Sequence, residues 1–60
     1  MERYEDFYGC VAYIKPQKNG AVMLTIWSGT KRIFKKAYNS YRGAKIAMGQ
    51  QSECWERKDA

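Results

Sequence analysis

Sixty residues leave room for one hydrophobic core, and a chain of this length buries only about 60% of its unfolded surface, so few side chains are free to build an elaborate site. A hydrophobic content of 45% excludes the low-hydrophobicity composition of disordered segments, while the formal charge of +5 sets the chain apart from a neutral surface. No apolar run approaches the roughly 20 residues of a membrane span, and Met1-Glu2-Arg3-Tyr4-Glu5-Asp6 lacks the basic-then-apolar layout of a secretory signal. The chain reads as an intracellular, complete gene product in the cytoplasm: one domain over residues 1–60, with 1–6 and 56–60 as flexible tails.

Histidine is absent, which removes the commonest general base and a partner in most nucleophilic dyads. Glu2, Glu5 and Asp6 lie before the expected fold and Glu53, Glu56 and Asp59 after most of it, so paired carboxylates in one cleft are not expected. No glycine-rich phosphate loop or nucleophile elbow appears. Cys10 and Cys54 have no third thiol to complete a tetrahedral zinc site. A Cys10–Cys54 bridge would tie the first strand to the end of the helix, but two reduced thiols in or near the core are the preferred reading. Neither catalysis nor a cofactor is expected.

Phe7 to Lys15 is rich in aromatic and β-branched residues and ends at Pro16, which cannot donate to a ladder, so it reads as a first strand. The following turn contains Asn19-Gly20, a dipeptide that tolerates positive φ and closes hairpins. Ala21 to Trp27 forms a second strand. Its alternation sets Val22, Leu24 and Ile26 toward the core and Met23, Thr25 and Trp27 outward. Ser28-Gly29 marks a second tight turn, and Thr30 to Tyr38 a third strand. The charges of that strand come in pairs, which requires either a bulge or lysine stems lying along the sheet, and its facing stays open.

Ser40 is the better of two N-cap candidates, and a helix is predicted from about Tyr41 to Cys54. Tyr41, Ala44, Ala47, Met48 and a last-turn Cys54 or Trp55 form its inward stripe. Tyr38 reads as an anchor for the helix start, and Trp55 as a cover for the open end of the sheet. The predicted fold is α+β: a three-stranded antiparallel meander followed by one C-terminal helix packed on one face.

From Phe7 through Ser52 there is no aspartate or glutamate. That stretch carries Lys15, Lys18, Lys31, Arg32, Lys35, Lys36, Arg42 and Lys45. Soluble domains usually intersperse both signs, so this segregation points to an anionic partner, against the blander use of lysines to solvate strands and block edge aggregation. Lys15, Lys18, Lys31, Arg32, Lys35 and Lys36 fall on the two hairpins, with Thr25 and Trp27 between the clusters. A basic ribbon of this kind fits the major groove of a duplex. Trp27 and Phe34 either stack on bases or complete the core, the second being the commoner use of sheet aromatics.

Tyr8-Gly9, Gly20 to Ile26, Ala37-Tyr38-Asn39-Ser40 and Tyr41 to Ala47 together resemble the three-strands-plus-helix DNA-binding domain shared by integrase arm-site domains and plant ethylene-response-factor domains. The resemblance covers most of Tyr8 to Gln51. It implies a sheet lying in the major groove with the helix packed behind, and Lys31 and Arg32 match the basic start of the third strand. The second strand departs from the pattern, since it lacks the arginines usual there. The chain also looks like the small proteins of phages and mobile elements, some of which act on DNA. Others inhibit a host protein or ribonucleoprotein, which makes an acidic host partner the alternative to duplex DNA.

Overall fold

The structure, a computed structural model, describes residues 1–58. Five antiparallel strands and one helix follow in chain order: β1 (Glu2–Glu5), β2 (Cys10–Pro16), β3 (Val22–Ser28), β4 (Lys31–Tyr38), α1 (Tyr41–Gln51) and β5 (Glu56–Arg57). The sheet order is β4-β3-β2-β1-β5. The α+β class agrees with the sequence, and β2, β3 and β4 are the three predicted strands in meander order. The strand count does not agree, because residues on both sides of the meander join the sheet.

The first of these additions arises from a turn within the predicted first strand. The Asp6 carboxylate accepts from the backbone N–H of Tyr8 at 2.9 Å and of Cys10 at 2.7 Å. Gly9 takes φ +86°, which a side chain would resist. The chain therefore reverses at Phe7–Gly9, and Glu2–Glu5 runs back along β2 with Tyr4 opposite Ala12. Residues 2–5 form a strand where a flexible tail is expected. One apolar side chain suffices, because Tyr4 is buried in the core.

That core lies on one side of the sheet. Tyr4, Ala12, Ile14, Val22, Leu24 and Ile26 meet Ala44 and Met48 of α1. Val22, Leu24 and Ile26 are the inward residues that alternation assigns, and each fully buried aliphatic side chain contributes about 1.5–3 kcal/mol. The Ser40 hydroxyl caps α1, accepting from Gly43 N–H at 3.1 Å. Tyr38 packs against the core beside it, and Tyr41, placed in the inward stripe by its spacing, is exposed.

The helix ends at Gln51, three residues before the predicted Cys54, because Ser52 is extended. The Trp55 indole then donates to the Met48 carbonyl at 2.7 Å, satisfying one of the acceptors a helix end leaves open. This brings Glu56 opposite Glu5 and Arg57 opposite Tyr4, and Lys58 N–H donates to the Arg3 carbonyl at 2.8 Å. Residues 56–58 are thus held against β1 rather than frayed, and the rest of that predicted tail lies outside the described residues. Cys10, half-buried, and Cys54, exposed, are free thiols.

Polar contacts fasten β1 to the helix. The Glu2 carboxylate accepts from the Tyr4 hydroxyl and from the Tyr41 hydroxyl, the latter at 2.6 Å. Lys45 Nζ donates to the Tyr4 hydroxyl at 2.9 Å and lies 4.4 Å from the centre of its ring. The Tyr4 hydroxyl first, then that of Tyr41, holds the Glu2 carboxyl below its ordinary value near 4.5. A carboxyl lowered on folding adds stability above its unfolded pKa and loses it as pH falls through the folded one. Glu2→Gln is accordingly expected to lose less stability than the parent between about pH 5 and pH 3, read as the shift in urea midpoint.

Candidate nucleic-acid interface

The helix covers one face of the sheet, and among the described residues no element covers the other. Because alternate residues point to opposite faces, the strand register sets out that bare face as rows running across the strands. One row reads Glu5, Val11, Trp27, Arg32. The next reads Arg3, Tyr13, Thr25, Lys35, and a third Lys15, Met23, Ala37. The centre, Val11, Tyr13, Met23, Thr25 and Trp27, is apolar or aromatic apart from the Thr25 hydroxyl and is half-buried, whereas Lys15, Arg32 and Lys35 are exposed at its margin.

The uneven charge spacing of β4 has a local cause. Register shifts between Ile26 and Trp27, so that Phe34 opposes Ile26 while Arg32 opposes Trp27. Ile33 is the extra residue and stands 51% exposed. This bulge, one of the two possibilities that the paired charges leave open, returns Arg32 to the same face as Lys35. Phe34 on the opposite side packs against the core and is not a stacking platform.

Of the residues the sequence singles out, Lys15, Thr25, Trp27, Arg32 and Lys35 line one shallow groove. Lys18 joins Lys15 around an adjoining hollow at the β2–β3 turn, bounded by Met23 and Ala37. Lys31 and Lys36 fall elsewhere. Lys36 opposes the buried Leu24 and Lys31 opposes Ser28, which puts both on the helix side of the sheet. The Lys36 ammonium sits 5.4 Å from the centre of the Tyr38 ring.

Tyr13 and Met23 also line the groove, although no role is expected for either from the sequence. The signal was there for Tyr13: alternation with Ala12 and Ile14, both buried, sends it outward beside Trp27.

The acids are not remote from this surface. Glu5 lies on the bare face in an ion pair with Arg3, and Glu56 stands beside it on β5. Lys58 pairs with Glu56 in turn, so charge runs across the face from a balanced β1–β5 margin to a cationic β4 margin. Among the described residues, no group of three or more histidine, cysteine, aspartate or glutamate side chains is placed to hold a metal ion. None of the described helices is long and apolar enough to cross a membrane. Comparison with protein-family models, curated proteins and solved structures found no match to this chain.

Proposed function

We propose that this chain is a small non-enzymatic nucleic-acid-binding protein that takes the phosphates of DNA on its bare sheet face and the adjoining β2–β3 turn. The observation that carries the reading is the convergence of Lys15, Arg32 and Lys35 around Thr25 and Trp27 on a face that no other element covers. Cations at the margin supply attraction and position, while the polar and aromatic centre meets bases. Five strands span roughly 19 Å, wider than the roughly 12 Å major groove, so on a duplex the β3–β4 ribbon is the part that enters. Contacts there are mainly to phosphate, with modest sequence preference.

Lys15, Lys18, Arg32 and Lys35 give an expected slope of log affinity against log salt of about −3.6 on duplex DNA, close to −0.9 for each neutralised phosphate. Lys35→Ala should reduce the steepness by about 0.9. A salt titration by fluorescence anisotropy measures both, and an affinity indifferent to salt removes the proposal. The alternative, an acidic host protein or ribonucleoprotein, draws on the same cations and on the apolar strip of Val11, Tyr13, Met23 and Trp27 as anchors. A partner protein that stays bound to the tagged chain after nuclease treatment selects it.

A further inference from the structure

We infer that the preferred form of nucleic acid is unpaired, an extended single strand whose backbone follows β4 and whose bases lie inward over Trp27 and Tyr13. This rests on the nucleic-acid reading above and adds to it the state of the bases. In a duplex the flat faces of the bases are hidden by stacking, and only their edges and the phosphates can be reached. Phosphate binding needs the cations alone. The bare face offers more than cations at its centre.

Trp27 stands opposite Val11, and Tyr13 opposite Thr25, so the two rings are diagonal neighbours on adjacent strands. Such neighbours lie roughly 7–8 Å apart, within reach of successive bases on an extended backbone. Within the described residues neither ring takes part in a ring–ring or cation–ring contact. Among the described residues the ring pair is Phe7 with Tyr8, and the ammonium contacts go to Tyr4, Tyr38 and Tyr41. The two tryptophans differ in the same sense. Trp55 spends its indole N–H on the Met48 carbonyl, whereas the indole N–H of Trp27, half-buried on the bare face, has no hydrogen-bond partner within the described residues.

The cations fix the direction of approach. Arg32 ends the row that contains Trp27, and Lys35 ends the row that contains Tyr13 and Thr25. Phosphates held by these two side chains put their bases over the neighbouring β3 and β2. At the far margin Glu5 is ion-paired with Arg3 and Glu56 with Lys58, so these charges balance and the cations left to hold a phosphate backbone are those on the β4 side. The Thr25 hydroxyl, between the two rings, can donate to or accept from a base edge.

The test compares an oligothymidylate of roughly 12 nucleotides with a duplex of the same length, using the full chain in one buffer and fluorescence anisotropy. The single strand should bind at least about tenfold tighter, and Trp27→Ala should weaken it by about tenfold while changing duplex affinity less than about twofold. Trp27→Phe, which keeps a ring, should retain most of the single-strand affinity and guards against a variant that has lost its fold. Equal or tighter duplex binding, or equal losses on both ligands with Trp27→Ala, overturns the inference and leaves the nucleic-acid reading in place. No binding of either ligand at low salt overturns both.

Discussion

Tyr4→Ala should leave the chain largely unfolded at 25 °C, with its cooperative urea transition lost. Tyr4 is the inward residue of β1, only 4% exposed, and it packs into the core shared with α1. Truncating a buried aromatic costs about 3–5 kcal/mol, and a core in a domain of this size supplies about the same amount. The two quantities nearly cancel, so one residue near the N-terminus decides whether the chain folds. Tyr4→Phe keeps the packing but loses the bonds to Glu2 and from Lys45, for an expected cost of about 1–2 kcal/mol. Tyr8→Ala, at an 80% exposed turn position, should stay within about 0.5 kcal/mol of the parent. If Tyr4→Ala unfolds at the parent's urea midpoint, residues 2–5 do not hold the fold together.

The difference between β1 and the three central strands explains why one was hidden in the sequence. β2 and β3 announce themselves through runs of β-branched and aromatic residues, bounded by Asn19-Gly20 and Ser28-Gly29. Gly20 and Gly29 do take positive φ at those turns. Glu2-Arg3-Tyr4-Glu5 has a single apolar residue, and its strand character comes from tertiary placement: the turn closed by Asp6 and the burial of Tyr4. β5 depends in the same way on Trp55, whose indole redirects the chain after α1. Neither dependence can be read from local propensity.

For the candidate interface, β3 was legible because its alternation is unbroken, which sends Thr25 and Trp27 outward. β4 was not, because one bulged residue changes the facing of everything beyond it. Lys35 and Lys36 are adjacent in sequence and belong to opposite faces, and the same holds for Lys31 and Arg32. An acid-free stretch in the chain also differs from an acid-free surface. β1 and β5 carry Glu5 and Glu56 back to the margin of the bare face, so the charge gradient is a product of topology.

That division of β4 yields the sharpest expected result for nucleic-acid binding. Arg32→Glu with Lys35→Glu should lower affinity for either DNA form by at least about 100-fold at moderate salt, since two charge-assisted contacts of about 1.5–3 kcal/mol each are lost and replaced by repulsion. Lys31→Glu with Lys36→Glu makes the same change in net charge on the same strand, but on the helix side of the sheet. Its expected loss is less than about tenfold, the part owed to the overall field of a chain that starts at +5. All four side chains are exposed, so both doubles should fold. The second should be the less stable by about 0.5–1 kcal/mol because Lys36 leaves the Tyr38 ring. Parallel anisotropy titrations and thermal melts separate the effects. Equal losses from the two doubles would mean that binding reads net charge rather than a face, and a larger loss from Lys31 and Lys36 would move the site to the helix side of the sheet.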